Sequence, residues 1–169
     1  MMRVFNETQR FTQWWVQLIN IAILGFLAYA AYNWFVLNEA VGNVSSKNLT
    51  GQIVFIALLI FSIGLIYMFK LKTIIDEIGL HYQFLPINLS KKTIRWTELN
   101  KCYVRIYNPI KEYGGWGYRL SFGKGKALNV KGNKGIQLEF KDGKKLLIGT
   151  QKKEDAQNVI EWYFKTNDE

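Results

Sequence analysis

The feature that most restricts how this chain can fold is an apolar run over Gly51–Phe69, GQIVFIALLIFSIGLIYMF. It contains no charged residue and no proline, and its only clearly polar side chains are Gln52 and Ser62. Its 19 residues would rise about 28 Å as a helix. That length is close to the roughly 30 Å hydrocarbon core of a bilayer. The run therefore predicts a transmembrane helix over about residues 51–69.

A second uncharged stretch, Trp14–Leu37, is long enough to span a bilayer with some tilt. Aromatic residues lie at both of its ends, as they do at membrane interfaces, with Trp14 and Trp15 at one and Trp34 near the other. A cleavable signal peptide is the competing interpretation, because Ala28–Ala30 matches the small-residue pattern of a cleavage site. The apolar run continues well past that point, which favours a second transmembrane helix.

The charges beside the two helices predict their orientation. The connecting loop, Asn38–Thr50, is polar and carries a single basic residue. The outer flanks of the helices carry Arg3, Arg10, Lys70 and Lys72. Because basic residues accumulate on the cytoplasmic side, we expect a multi-pass protein of the cytoplasmic membrane with both termini in the cytoplasm.

From residue 70 onward the apolar residues recur with a period of two, which is typical of half-buried antiparallel strands. Cys102, Val104 and Ile106 show this alternation, and several other segments do the same. Asp142-Gly143 is a strong hairpin signal. We therefore predict a membrane hairpin over residues 1–69 and a domain of seven or eight short strands over residues 70–169.

The chain ends in a predicted amphipathic helix, Gln151–Lys165, with Thr150 as its N-cap. Apolar residues fall at helical spacing and define one face. They are Ala156, Val159, Ile160 and Tyr163. Trp162 lies off this face. A helix of this kind after many antiparallel strands predicts a small curved sheet or barrel that is closed by the helix.

Basic residues dominate the β-rich part, where residues 70–169 hold 19 Lys and Arg against 11 Asp and Glu. Beside a bilayer, such charge points to anionic lipid more readily than to nucleic acid. Gly123–Lys126 is glycine- and lysine-rich but lacks the spacing of a phosphate-binding loop. We expect neither a nucleotide nor a nucleic acid ligand, and no cofactor.

The chain has one histidine, His81, and one cysteine, Cys102. A Cys/His metal site would need several carboxylates to complete it, and the sequence shows no such cluster. A single histidine also restricts every scheme of general-base catalysis. We expect His81 to be an exposed strand residue, Cys102 to be in the core, and the protein not to be an enzyme.

The residues we expect to contact lipid or a partner are aromatic or charged and fall into three groups. They are the N-terminal Phe5, Glu7, Arg10, Phe11, Trp14 and Trp15; the central Trp116, Arg119, Lys124, Lys126, Lys131 and Lys134; and Trp162 near the end. Each has a structural alternative. The segment around Trp116 also fits a tight corner with the ring on the core, and the lysines also fit a solvated edge.

The N-terminal segment, Met1–Gln13, is predicted to continue the first transmembrane helix. Glu7 and Arg10 would then share one turn, and Phe5 and Phe11 would dock the segment onto the domain or a partner. A frayed terminus is the alternative. Within the first membrane helix, Gln17 and Asn20 share a face, and we expect the second helix or another subunit to satisfy these polar groups.

The order of these elements resembles that of small bacterial membrane proteins in which two transmembrane helices precede a PH-like domain. The resemblance rests on four stretches, Phe5–Phe11, Tyr113–Arg119, Gly132–Leu138 and Gly143–Gln151. It implies an α+β membrane protein with a PH-type, partly open antiparallel β-barrel capped by the C-terminal helix, and no enzyme activity. PH domains that bind inositol phosphates carry Lys and Arg in their first hairpin. The matching region here, Asp76–Gly79, is acidic, which disfavours that ligand.

These observations favour a non-enzymatic accessory or scaffold protein that presents its domain at the inner face of a bacterial membrane. The partners we expect are the bilayer and either another protein or a second copy of this chain. An anionic-lipid sensor is the second possibility. A small transporter or channel is disfavoured, because the predicted helices carry no charge that would mark an ion path.

Overall fold

A computed structural model describes residues 3–165, without the side chain of Lys165, and shows an α+β protein of two compact units. Residues 11–68 form a helical unit. Residues 3–10 and 69–165 form a β-rich unit. The predicted division at residue 70 differs from this arrangement at the N-terminal segment, which joins the β-rich unit.

The helical unit contains α1, Trp14–Tyr32, which continues as a π-helical turn, Asn33–Leu37, and α2, Leu49–Met68. Both helical segments are long and apolar enough to cross a membrane, by length and composition. Their bounds match the predicted helices within about two residues, which is the usual uncertainty of helix ends.

Polar contacts join the two helices at the end of the unit where the chain enters and leaves. The Asn20 side chain donates to the Tyr67 hydroxyl at 3.0 Å, and that hydroxyl lies 3.3 Å from Gln17 Oε1. At the other end, Trp34 packs edge-on against Phe55. The prediction that the second helix meets Gln17 and Asn20 is therefore confirmed.

The β-rich unit contains nine described strands in two sheets. The strands are β1 Phe5–Arg10, β2 Lys70–Ile75, β3 Gly79–Leu85, β4 Lys92–Arg95, β5 Leu99–Ile106, β6 Gly117–Ser121, β7 Gly125–Asn129, β8 Lys134–Phe140 and β9 Lys145–Gly149. One sheet has the order β1-β2-β3-β4, and the other has the order β5-β8-β9-β7-β6. Among the described residues the strands form no closed barrel.

The N-terminal segment is a strand rather than the predicted helix. β1 pairs antiparallel with β2 along its whole length, from Phe5 opposite Ile75 to Arg10 opposite Lys70. Alternate side chains then point to opposite faces, so Glu7 is buried while Arg10 is exposed. The predicted Glu7–Arg10 contact is therefore wrong. The prediction that this segment docks onto the domain is correct, because Phe5 is buried.

The five-stranded sheet is mixed, whereas the sequence predicted antiparallel strands alone. β7 runs parallel to β9, with Ala127 opposite Leu147, and every other recorded pair is antiparallel. The predicted Asp142-Gly143 turn does connect β8 and β9. It is closed by a hydrogen bond from Phe140 N to Lys144 O.

The centre of this sheet is buried on both faces. Ile136 and Leu138 of β8 lie opposite Ile148 and Leu146 of β9 on one face. On the other face, Ala127 and Leu147 form a cluster with Tyr107 and Tyr113. Tyr113 comes from the short helix α3, Pro109–Tyr113, so this helix covers the second face. The prediction that Cys102 is in the core is also confirmed.

The last described helix, α4, Lys153–Lys165, packs against strands of both sheets. It begins later than predicted, although Thr150 does accept a hydrogen bond from Lys152 N. Val159 and Ile160 are buried and Trp162 is exposed, as predicted. Tyr163 is only half-buried, because it lies at the edge of the covered face.

Candidate functional site

Among the described residues of the β-rich unit, the most exposed large apolar side chain, Phe122, lies on the hairpin formed by β6 and β7. The hairpin loop is Phe122–Lys124, between the paired residues Ser121 and Gly125. The Phe122 side chain is fully exposed, with a relative accessibility of 108%, and Leu120 is 69% exposed. Large apolar side chains grouped at a turn are uncommon on a protein surface and often mark an interaction site.

Glycine makes this turn possible. Gly123 and Gly125 have φ angles of 74° and 79°, which residues other than glycine rarely adopt. At Gly125 a Cβ atom would also lie 2.2 Å from the main-chain oxygen of Lys145. The hairpin base therefore approaches β9 closely, and a larger residue would push the two strands apart.

A pocket of about 540 Å³ lies beneath this hairpin. Its walls come from β3, from the β6–β7 hairpin and from the β8–β9 turn region. The lining residues are Tyr82, Leu120, Ser121, Phe122, Gly123, Gly125, Lys126, Phe140, Gly143, Lys144, Lys145 and Leu146. The pocket size is within the range of small-molecule sites, and no carboxylate lines it.

Tyr82 forms the wall that the four-stranded sheet contributes. It is half-buried, and burial raises its pKa above the ordinary value, with a smaller contribution from nearby Tyr118 of β6. The phenol therefore stays neutral near pH 7. It can donate a hydrogen bond to a ligand without repelling an anion.

Three lysines of this pocket differ in their partners. Lys144 is paired with Asp142 at 2.6 Å. The hydrogen bond between them lowers the pKa of Asp142 and raises that of Lys144. Lys126 and Lys145 have no ion pair among the described residues. Lys126 shares the face of Leu146, whereas Lys145 points to the other face with Leu147. Lys126 therefore gives the pocket an unbalanced positive charge.

The predicted basic group is divided by the structure. Lys124 and Lys126 lie at the hairpin turn, whereas Lys131 and Lys134 follow the opposite end of β7. The five residues from Lys126 to Lys131 would span about 17 Å if extended. The structure therefore places only the first two lysines beside the exposed apolar residues.

Trp116 and Arg119 form part of the corner before the hairpin. The Trp116 ring is half-buried, and its Nε1 donates to the main-chain oxygen of Gly132 at 2.9 Å. Arg119 Nε donates to the main-chain oxygen of Trp116 at 2.8 Å. These bonds tie the ring to the β7–β8 turn, which favours the corner interpretation over a loop that dips into a membrane.

The remaining predicted contact residues are dispersed. In the helical unit, Phe11 and Trp15 are half-buried and Trp14 is exposed. In the β-rich unit, Trp162 is 49% exposed, and the guanidinium of Arg3 lies 4.3 Å from the centre of its ring. This cation–π contact fixes the start of the chain on α4.

Glu7 lies inside the β-rich unit rather than on a contact surface. Its carboxylate accepts hydrogen bonds from Thr150 Oγ1 at 2.6 Å and from Gln151 N at 2.8 Å. Gln9 extends the same connection, because its side-chain amide donates to Gly149 O at 2.7 Å. The polar side chains of β1 thus join the first strand to the segment before α4.

Sequence reasoning missed one arrangement that contains the single histidine. The prediction that His81 is exposed is wrong, because only 5% of it is accessible. Its Nδ1 lies 2.8 Å from Thr93 Oγ1, and its Nε2 lies 2.9 Å from an Asp76 oxygen. The register of β3 and β4 places His81 opposite Thr93. Strand pairing creates this contact, and no local spacing indicates it.

A hydroxyl, an imidazole and a carboxylate in this order are the components of a nucleophile and its base. Here Asp76 also accepts from Ile78 N and Gly79 N, which closes the β2–β3 turn. Burial opposes ionisation of Asp76, but these hydrogen bonds and the one to His81 lower its pKa overall. The hydrogen bonds of Asp76 to the main chain give the arrangement a role in stabilising this turn.

The described residues contain no group of three or more His, Cys, Asp or Glu side chains that could hold a metal ion. Burial raises the pKa of the Cys102 thiol to about 12, so it is not a ready thiolate nucleophile near neutral pH. No protein-family model matches the chain, and no curated protein matches it.

Proposed function

We propose that this protein is a membrane-anchored, non-enzymatic accessory or scaffold protein of the bacterial inner membrane that presents a PH-like domain for partner binding at the cytoplasmic face. The observation that carries the proposal is the β1–β2 pair. β1 ends at Arg10 just before α1, and β2 begins at Lys70 just after α2. The β-rich unit thus contains both the segment directly before the helical hairpin and the segment directly after it.

This pairing has a topological consequence. Arg10 and Lys70 lie opposite each other, so the chain leaves the β-rich unit and returns to it at the same place. If α1 and α2 cross a bilayer, their outer ends must then be on one side of it.

Basic charge at this place supports the cytoplasmic side. Arg10, Lys70 and Lys72 occupy neighbouring positions of β1 and β2. The pKa of Lys70 is lowered mainly by desolvation, and repulsion from Lys72 and Arg10 lowers it further. Anionic head groups would relieve this repulsion, and the positive-inside bias favours the same orientation.

The PH-like assignment is supported by the order of elements and by the position of the last helix. Eight strands follow the membrane hairpin, and α4 packs on strands of both sheets. The extra strand β1, which precedes the membrane hairpin, is an addition to the simple barrel that the resemblance implies.

Cysteine accessibility tests the anchor and its orientation. Asn43→Cys lies in the loop between the helices, Thr97→Cys lies on the surface of the β-rich unit, and both positions are exposed. In intact cells we expect an impermeant maleimide to label only Asn43→Cys, with Thr97→Cys labelled after permeabilisation. Wild type provides the blank, because its single cysteine is buried. Labelling of Thr97→Cys in intact cells would contradict the proposal. A failure to label either variant in intact cells would also contradict it.

Co-purification tests the scaffold role. The exposed hairpin side chains Leu120 and Phe122 can both be changed to Asn, with Ile106→Asn and Ile110→Asn as a control that removes similarly exposed apolar groups. We expect a stoichiometric partner in mild detergent that the hairpin variant loses and the control keeps. A partner retained equally by both variants would place the binding surface elsewhere, and no stoichiometric partner would contradict the role.

The second candidate is an anionic-lipid sensor, favoured by the Arg10, Lys70 and Lys72 group. Its distinguishing property is a salt-sensitive change when the surrounding lipid becomes anionic. Hydrogen exchange of the full chain in nanodiscs with and without phosphatidylglycerol would detect it. Protection of residues 70–72 by phosphatidylglycerol, reversed by salt, would favour the sensor.

A further inference from the structure

We propose that the pocket beneath the β6–β7 hairpin binds a single-chain anionic amphiphile, such as a long-chain fatty acid. The alkyl chain would lie against the aromatic and aliphatic walls, and Lys126 would hold the anionic head. The inference rests on the proposed function in one respect, namely that the β-rich unit is a binding module. It does not depend on the orientation of the helices.

The walls carry the first step of the argument. Leu120, Phe140 and Leu146 supply apolar surface from three different strands, and Tyr82 supplies an aromatic ring from the other sheet. A chain in contact with these groups leaves water, and the gain in binding grows with the apolar surface that is buried. This favours an alkyl chain over a polar ligand of the same size.

The charges carry the second step. Lys126 of β7 pairs with Leu146 of β9, so these two side chains lie on the same face of the sheet, and both line the pocket. Lys145, the residue before Leu146, points to the other face, where Glu139 lies opposite it in the ladder. A lysine without an ion pair among the described residues and the absence of a lining carboxylate select an anionic head group over a neutral or cationic one.

The size of the pocket decides between one chain and two. About 540 Å³ lies in the middle of the range for drug-sized ligands. A phospholipid with two full-length chains is considerably larger, so the pocket fits a free single-chain amphiphile rather than a lipid that remains in a bilayer.

Photolabelling of the full chain in phosphatidylcholine nanodiscs tests this inference. The probe is palmitic acid with a diazirine in its chain, and labelled peptides are identified by mass spectrometry. We expect saturable labelling within residues 120–126 and 140–146. Labelling of α1 and α2 in the same sample measures how much probe partitions into the bilayer, and pocket labelling is normalised to it.

Competition in the wild-type protein separates the two ends of the ligand. Unlabelled palmitate should suppress pocket labelling, whereas methyl palmitate, which lacks the charge, and butyrate, which lacks the chain, should not. Replacing part of the phosphatidylcholine by phosphatidylglycerol should leave the labelling unchanged. Suppression by phosphatidylglycerol would overturn the inference, because it would assign the site to bilayer lipid.

Charge reversal provides the matched variants. Lys126→Glu removes the proposed contact, and Lys134→Glu makes the same change of net charge at an exposed position outside the pocket. We expect the first variant to weaken labelling about fivefold, since one basic contact is worth several-fold in affinity. The second variant should have little effect.

Two further results would overturn the proposal. One is labelling confined to α1 and α2, which would show that the probe remains in the bilayer. The other is a lack of anion recognition, seen as equal labelling of the two charge-reversal variants or as equal competition by methyl palmitate. Neither result affects the cysteine-accessibility test of the anchor, so the two proposals fail independently.

Discussion

The hydroxyl of Thr150 donates a 2.6 Å hydrogen bond to the carboxylate of Glu7, and this bond joins the first strand to the segment before the last helix. Only 5% of Glu7 is accessible. The same carboxylate accepts from Gln151 N, so it satisfies two donors of a distant part of the chain. A buried acidic residue therefore has a structural role in closing the fold.

Replacing Glu7 should destabilise the protein noticeably. Glu7→Ala would leave the Thr150 hydroxyl and the Gln151 amide without their acceptor, and we expect a loss of about 1.5–3 kcal/mol. The neighbouring Asn6→Ala is the control, because Asn6 is exposed on the same strand. Chemical unfolding of the full chain in nanodiscs measures both variants, and equal stabilities would contradict the role of Glu7.

The same residue explains why β1 could not be predicted from the sequence. Its inward positions are Phe5, Glu7 and Gln9, so two of three buried side chains are polar and hydrophobic alternation is lost. Its partner strand begins at Lys70, beyond the whole helical hairpin. Neither the local pattern nor the sequence distance indicates the pairing, and the bonds that Glu7 and Gln9 make to residues 149–151 exist only in the folded structure.

Elements whose apolar pattern determines their burial were predictable. The uncharged runs gave the correct positions of α1 and α2, and alternation correctly placed Cys102 and its neighbours in a strand. Apolar spacing also identified the buried face of α4. The parallel pairing of β7 with β9 was not predictable, because strand order depends on long-range contacts rather than on the pattern within a strand.

The candidate pocket illustrates the same limit. The sequence singled out Lys124 and Lys126 but could not separate them from Lys131 and Lys134, which lie at the far end of β7. The exposure of Phe122 was also not predicted, because the end of β6 depends on its pairing with β7 rather than on the pattern within a strand. The strand in fact ends at Ser121, and the turn releases Phe122 into solvent.

Two residues of α4 should differ strongly in their contribution to stability. Ile160 is buried and Trp162 is half-exposed. We expect Ile160→Ala to cost about 2–5 kcal/mol, as for other buried aliphatic side chains. Trp162→Ala should cost much less, since its contact with Arg3 is at the surface and worth about 0.5–1 kcal/mol. Thermal unfolding of both variants tests this, and equal losses would show that the buried face is wrongly assigned.

The ion pair between Arg105 and Glu112 predicts a pH dependence of stability. The two side chains make hydrogen bonds of 2.8 and 3.2 Å, and these bonds are the main cause that lowers the pKa of Glu112 below its ordinary value of 4.5. A carboxylate whose pKa is lower in the folded state stabilises the protein above the unfolded pKa. This stabilisation is lost as the pH falls through the folded pKa.

Glu112→Gln should therefore be less stable than wild type near pH 7, and the difference should shrink as the pH falls below about 4.5. Glu154→Gln is the control, because Glu154 is exposed and has no ion pair among the described residues. Melting temperatures of the three proteins between pH 7 and pH 3 give the comparison. A difference that stays constant or grows in acid would mean that the ion pair does not determine it.

The polar contact between α1 and α2 gives a test of the helical unit by itself. The Tyr67 hydroxyl bonds to both Asn20 and Gln17, and the Asn20 Oδ1 atom is buried without a recorded partner. Tyr67→Phe removes the hydroxyl and leaves the ring, so we expect it to weaken helix pairing by about 0.6–2 kcal/mol, the range of hydrogen bonds between membrane helices.

Tyr32→Phe is the control, because it removes a hydroxyl from an exposed ring and should have no effect. Resistance to unfolding by sodium dodecyl sulfate, measured in mixed micelles, compares the two variants. Equal resistance would show that apolar packing, such as that of Trp34 on Phe55, is sufficient to pair the helices.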